Sequence, residues 1–482
     1  MNHDTPERDP GGSAQRLRDE SDEHVIKCMG DVDMGLVHGD GVHVTDADGN
    51  EYLDAISAEW VLNLGFRHPE IREAMEQQFG KIDYVSPVFE DEARTAYAKK
   101  LAELAPGALS KVLYGLSGAS AVEGAMHLAM RTTGGTDFVC LDAAFHGRTF
   151  ATIGLTYVSP GMVDGSNKGL DRYLPRQMRV PAYNCYRCPL NLERETCDLA
   201  CAETVEFALD KGHLNGPAGV IVEPFQANGG MVPAPDGYLE RVHEMAKSHE
   251  VPLIVDEIQG AFCRCGPMYA SERAGIEPEM IILGKAMGGG LPLSGTITTP
   301  EYSELLPWEY GFTQAGNPMA CAAGLAMVEV MVRDDLPANS ERIGTLMTDA
   351  LKEIQNDSKL IGEVRGQGLM IGVELVRDRE TKEPAFEAWA VVLVSVLGHH
   401  CLFARLVANA FRIRDGLAVL WDVAGHRVSA LEVSGGHAFV LDEASVECFL
   451  VHGASCGRTP DRGLAGLGTA WGYTCRLLPG MT

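Results

Sequence analysis

The chain has 482 residues, 45% of them hydrophobic, and a formal net charge of −27. That length and apolar content are enough for a large buried core and about two or three domains. The negative charge excludes nucleic acid and an anionic membrane surface as partners, because both present phosphates that would repel the chain.

Residues 1–25 begin with a polar, charged, Gly/Pro-punctuated stretch that lacks the apolar core of a secretory signal, and they predict a disordered arm. No stretch reaches the roughly 18 uninterrupted apolar residues of a membrane helix. Thirteen cysteines in such a chain point to a reducing compartment, and the expected location is the cytoplasm. Residues 26–93 are expected to start a smaller α+β domain, because 42–54 alternates and turns at Asp48-Gly49-Asn50 in the manner of a β-hairpin. From 94 to 322, short apolar runs at 111–114, 137–141, 219–222, 252–255 and 280–283 alternate with helical patterns. This is the βαβ signature of an α/β large domain with a mostly parallel sheet. Residues 323–414 turn helical again and then show a turn and strand near 363–375, which suggests a return to the small domain. Residues 415–482 form a divergent tail rich in Gly, Cys, Trp and His.

Two of the apolar runs end in chemistry. Leu253-Ile254-Val255 delivers Asp256 to the C-terminal edge of a buried strand, and Met280-Ile281-Ile282-Leu283-Gly284 delivers Lys285 into a glycine-rich loop. A lysine so placed can form a Schiff base with an aldehyde, and the acid can hold a pyridine nitrogen protonated by a charge-assisted hydrogen bond. Together they point to pyridoxal 5'-phosphate. Upstream, Ser117-Gly118-Ala119-Ser120 opens a segment with Val122, Ala125, Met126 and Ala129 at helical spacing. Such a helix start suits a phosphate, although an ordinary N-cap serine has the same look. Phe145-His146 follows the run at 137–141 and offers either a ring to lie on a heteroaromatic cofactor or plain core packing.

The order of these motifs, with Asp256-Glu257-Ile258-Gln259, Gly266, Gly275, Pro278 and Lys285 to Pro292, closely resembles the class III aminotransferases over roughly residues 35 to 385. The resemblance implies fold type I, the aspartate-aminotransferase-like architecture. It also implies transfer of an amino group from a small amino acid or amine to a 2-oxo acid. By the same resemblance Lys285 is the Schiff-base lysine, Asp256 pairs with the ring nitrogen, and Gln259 lies near the ring hydroxyl. Gly118 and Ala119 bind phosphate through their N–H groups, Phe145 stacks on the ring and His146 sits beside it. Thr313 is implied to reach the phosphate of a partner subunit, which makes a homodimer with shared active sites the expected assembly. The block 366–385 is similar to the dialkylglycine decarboxylases, so a decarboxylase or racemase on the same scaffold stands as the alternative.

On the substrate side the resemblance points to Glu59, Trp60, Asn228 and Arg412. Asn228 replaces a glutamate common in the family, so Arg412 would be left un-neutralised and suited to an α-carboxylate, unless it is a surface cation. Glu59 is either a contact for a basic or hydroxyl-bearing substrate or a solvated loop acid. Two departures stand out. Cys185, Cys188, Cys197 and Cys201 have spacing compatible with a structural zinc site, or are four ordinary thiols. After Arg412 the chain leaves the family pattern, which raises a third reading: a cofactor-binding homologue with impaired turnover.

Overall fold

The computed structural model describes residues 13–27, 34–156 and 177–385, with further strands at 416–421, 427–434, 437–441 and 451–452. Ser13–His24 is an α-helix, where the polar composition predicts an unstructured arm. Its side chains pair one turn apart. Gln15 Nε2 donates to Asp19 Oδ1 at 2.7 Å and Arg16 faces Glu20 at 3.8 Å, so local pairs support a helix that has no apolar stripe.

Strands β1 (Leu36–Asp40), β2 (His43–Asp46) and β3 (Glu51–Leu53) form the expected antiparallel hairpin sheet, with His43 opposite Leu53. Asp46 fixes the turn: its carboxylate accepts the N–H groups of Asp48 and Asn50, the Asn50 side-chain amide and the Tyr52 hydroxyl.

The chain then builds one seven-stranded sheet. Its members are β4 (Lys111–Gly115), β5 (Asp137–Leu141), β6 (Gln177–Val180) and β7 (Pro217–Val222), followed, after the short ribbon of β8 (Phe225–Gln226) and β9 (Val232–Pro233), by β10 (Leu253–Asp256), β11 (Met280–Leu283) and β12 (Ser294–Thr298). The order is β4-β12-β11-β10-β7-β5-β6, parallel throughout except for β12. The five predicted runs are all there. β12 escapes an apolar search because its side chains are hydroxyls: Ser294 donates to Ser117 O and Thr296 to Ala121 O, so a fully buried strand is satisfied without being hydrophobic.

Alternation along the strands sorts the core onto two faces. Val139, Val220, Val255 and Ile281 pack on one, and Phe138, Ile221, Ile254 and Ile282 on the other, where the helix Gly118–Thr133 covers them with Ala121, Val122, Ala125 and Ala129. Each such aliphatic side chain contributes about 1.5–3 kcal/mol by leaving water. Truncating one costs about 2–5 kcal/mol.

Helices Pro318–Arg333 and Leu336–Asp357 lead to a hairpin of β13 (Ile361–Gln367) and β14 (Met370–Leu375), so the stretch expected to be a turn is largely strand. The turn is confined to 368–369. Gly368 has φ +54°, and a Cβ there would meet Gly266 N at 2.4 Å. Farther on, β15 (Gly416–Trp421), β16 (Arg427–Ser434), β17 (His437–Leu441) and β18 (Val451–His452) make an antiparallel sheet within the divergent tail. No helix among the described residues is long and apolar enough to cross a membrane.

Candidate active site

A parallel sheet brings the ends of its strands to one edge, and there the polar residues gather. β10 ends at Asp256, β7 is followed at once by Glu223, β11 by Gly284 and Lys285, and β5 by the loop that carries Phe145 and His146. Asp256 and His146 are both buried, and His146 Nδ1 lies 2.7 Å from Asp256 Oδ2. The carboxylate accepts, so the imidazole donates through Nδ1. The second oxygen, Oδ1, takes the Ile258 N–H at 3.1 Å. Asp256 is therefore held from two sides.

Its neighbour Glu257 faces elsewhere. Both Glu257 oxygens are consumed by the segment Ala270–Ala274, accepting from Ala270 N, Ser271 N at 2.8 Å and Ser271 Oγ at 2.6 Å. Burial pushes this carboxyl up to about 7 against those bonds.

Lys285 has φ +46°, a left-handed conformation that a non-glycine residue adopts only when its surroundings impose it. Burial lowers its amine below the ordinary lysine value, while Asp256, Glu59 and Glu223 pull it back up and Arg148 adds to the fall. Nζ lies 5.9 Å from the Trp60 ring centroid, within cation–π reach. Trp60 and Glu59 stand on a single left-handed turn, Ser57–Trp60, with φ of 50°, 49°, 59° and 65°. Each such residue costs about 1–2 kcal/mol. Asp54 holds the turn, Oδ1 accepting from Ile56 N at 2.9 Å and Oδ2 from Ala58 N at 2.7 Å.

Phe145 is half-buried, with the Arg148 guanidinium 4.8 Å from its ring centroid. Gln259 Nε2 donates to Asn228 Oδ1 at 3.4 Å, so those two predicted residues meet. The helix Gly118–Thr133 starts with a capping box between Ser117 and Ser120. That box takes the Ser120 N–H, and the N–H groups of Gly118 and Ala119 lie in the first turn, where a helix has no internal acceptor to offer. A Cβ on Gly118 would meet Ile258 Cδ1 at 2.8 Å, so the loop lies directly against the Asp256 segment.

Pyridoxal phosphate needs an anion cradle, an amine, an acid for its ring nitrogen and polar groups at the ring edge. The first three are present in the helix start, Lys285 and Asp256. Two buried polar atoms, Gln259 Oε1 and His146 Nε2, have no hydrogen-bond partner among the described residues, as expected of atoms that would face the polar edge of a bound group. The residues fit the group.

The model of the family described as aminotransferase class-III matches residues 29–417. The chain belongs to the class III aminotransferases. Among its relatives are the leucine/methionine racemase of Thermococcus litoralis, 32% identical over 81% of this chain and 87% of the relative, and the acetylornithine aminotransferase of Methanopyrus kandleri, 35% identical over 72% and 82%. A similar solved structure is the omega-transaminase of Pseudomonas jessenii in complex with PMP, at 25% identity and TM-score 0.74, covering 80% of this chain and 90% of that one. This aminotransferase accordingly has the fold type I, α/β architecture, uses pyridoxal phosphate, and moves an amino group to a 2-oxo acid.

Other predicted residues of the aminotransferase fall differently. Thr313 is exposed, its carbonyl accepting the Tyr84 hydroxyl at 2.9 Å, and no hydrogen bond among the described residues joins it to the Lys285 group. Arg412 lies outside the described residues.

The zinc expectation is corrected. Cys185, Cys188, Cys197 and Cys201 line one cavity, but among the described residues no group of three or more His, Cys, Asp or Glu side chains is able to hold a metal ion. The sulfurs serve their own loop: Cys188 Sγ accepts from Leu192 N at 3.4 Å and Cys197 Sγ donates to Arg194 O at 3.7 Å. Burial raises the Cys185 thiol and pushes Cys201 up to about 11.

Glu223 is the site residue that motif reading passes over. Its signal was nevertheless available, since it follows the apolar run at 219–222 as Asp256 follows 253–255.

Proposed function

We propose that the group around Asp256 and Lys285 is the transamination site, with Gly118 and Ala119 as the phosphate cradle, Phe145, His146 and Gln259 around the ring, and Glu59, Trp60, Asn228 and Arg412 on the substrate side. The carrying observation is the buried His146–Asp256 pair, 2.7 Å apart, at the same sheet edge as a lysine whose amine burial has lowered. Pyridoxal phosphate, when bound, supplies an aldehyde for amines and a cationic ring that withdraws electrons from the substrate Cα.

This chain's residues supply the rest. Lys285, with its ammonium destabilised by burial, offers a free amine that would take the Cα proton and return it to the carbon on the far side of the amino nitrogen, the coenzyme's former aldehyde carbon. Asp256, fixed by His146 and by the Ile258 N–H, keeps the ring-nitrogen proton in place where negative charge builds. Trp60, over Lys285, shields the amine from water on that side. Glu59 faces the same amine and would attract a substrate bearing a second cation.

On this reading residues 26–93 and 323–414 make the small domain and 94–322 the large one. Thr313, exposed on its own subunit, serves the partner's phosphate in a homodimer in the cytoplasm. Sedimentation of the purified protein checks the dimer.

A second reading, racemisation, is supported by the similarity to the Thermococcus litoralis racemase. Separate assays with and without a 2-oxo acid decide between them. Transamination requires the acceptor and yields a new oxo acid. Loss of optical activity without an acceptor, and with no oxo acid formed, would replace it with racemisation.

A further inference from the structure

Glu223 sits where three parts of the site meet. It follows β7, the strand paired on one side with β10, which ends at Asp256, and on the other with β5, which leads to Phe145. Its Oε2 accepts the Phe145 N–H at 3.1 Å, and its backbone carbonyl accepts the Tyr183 hydroxyl. The residue is 4% exposed. Burial and then the neighbouring Asp256 carboxylate push the Glu223 carboxyl well above its ordinary value, against the weaker pull of the Phe145 N–H and Lys285.

Burial and the Asp256 carboxylate both disfavour a second charge at Glu223, while an acceptor oxygen is of use there whatever the charge. Its oxygen serves the backbone N–H of Phe145, at the base of the side chain assigned to the coenzyme ring. Without that acceptor, a part-buried amide in the loop between β5 and His146 would be left without its partner.

We propose that Glu223 is a positioning residue that aims Phe145 at the coenzyme ring by accepting the Phe145 N–H, and that its task is to offer an oxygen rather than a charge. This rests on the coenzyme site assigned above. The Tyr183 bond to the Glu223 carbonyl anchors the backbone from behind, so the side chain has a fixed origin from which to reach Phe145.

The test is an equilibrium titration of the coenzyme-free protein with pyridoxal 5'-phosphate, followed by the visible circular dichroism of the bound chromophore. The proteins compared are wild type, Glu223→Gln and Glu223→Leu. Leucine keeps the bulk and removes the oxygen, so affinity should fall by about 5- to 150-fold, the cost of one buried unsatisfied donor. The dichroic band should change with it. Glutamine restores an acceptor without charge and should rescue both the affinity and the band. If glutamine weakens binding as much as leucine, the charge matters and the inference is overturned; it is equally overturned if leucine binds like wild type. Glu223→Ala takes the place of leucine if that variant does not fold, judged by far-ultraviolet dichroism. Failure of the wild type itself to bind would instead refute the site assignment on which this inference stands.

Discussion

Two groups of four reactive side chains can be set side by side in this molecule. At the sheet edge His146, Glu223, Asp256 and Lys285 arrive from β5, β7, β10 and β11, from positions far apart in sequence. In the cysteine loop the four thiols come from one short stretch and line one cavity. At the sheet edge burial and then Asp256 raise the Glu223 carboxyl, burial lowers the Lys285 amine against the pull of both acids, and His146 Nε2 has no partner among the described residues. Cys188 and Cys197 bond to their own backbone, and burial raises the Cys185 and Cys201 thiols. Convergence imposed by a sheet makes chemistry more readily than proximity along the chain, because strands hold buried charges where solvent cannot relax them.

The sharpest way to break this contrast is Lys285→Ala. Turnover should fall by about 10²–10⁴-fold, the usual worth of a positioned proton-transfer group. Borohydride should then fail to attach the coenzyme to the peptide containing position 285, as read by mass spectrometry. Retained turnover would mean that the sheet edge is not the reacting centre.

Asp256→Asn follows. It keeps the shape and an acceptor for the Ile258 N–H but removes the charge, so kcat should drop by about 10²–10³-fold while the thermal midpoint changes little. A large fall in the midpoint with unchanged kcat would turn Asp256 into a structural residue.

Much of this contrast was legible beforehand, for physical reasons. Buried parallel strands must be apolar runs, which exposed β4, β5, β7, β10 and β11. The acid and the lysine were visible because each closes such a run. β12 was hidden by its buried hydroxyls. The His146–Asp256 pair was hidden because strand order in space places β7 between their strands, and nothing local in the sequence encodes that order. The strained turn at Ser57–Trp60 contains no glycine to announce a positive φ. The cysteine spacing misled because spacing permits convergence of thiols without compelling them to ionise, and the Ser13–His24 helix was missed because i,i+4 polar pairs mimic the composition of a disordered arm.

Glu257 sharpens the contrast from within the sheet edge, since it adjoins Asp256 yet anchors 270–271. Its carboxyl titrates near 4.5 when unfolded and at about 7 when folded. Between those values the folded state holds the extra proton, so its stabilisation is full below about pH 4.5 and is lost as pH rises through about 7, about 3 kcal/mol in all. Glu257→Gln removes the titration. The stability gap between wild type and this variant, from urea unfolding, should therefore shrink by about 2 kcal/mol between about pH 5.5 and about pH 8. A gap that does not move with pH would show that Glu257 is not the titrating group.

The smallest effect belongs to the cysteine loop. Replacing Cys185, Cys188, Cys197 and Cys201 together by serine removes two weak sulfur hydrogen bonds and no metal, so each change should cost no more than about 0.5 kcal/mol and leave turnover within about twofold. A strong chelator should leave the thermal midpoint of the wild type unmoved, because structural zinc contributes folding energy outright and its removal would be unmistakable. If the midpoint dropped on chelation and the serine variant showed the same low value, the thiols would be converging after all. The difference between the two groups would then be one of task, structural against chemical, rather than of convergence.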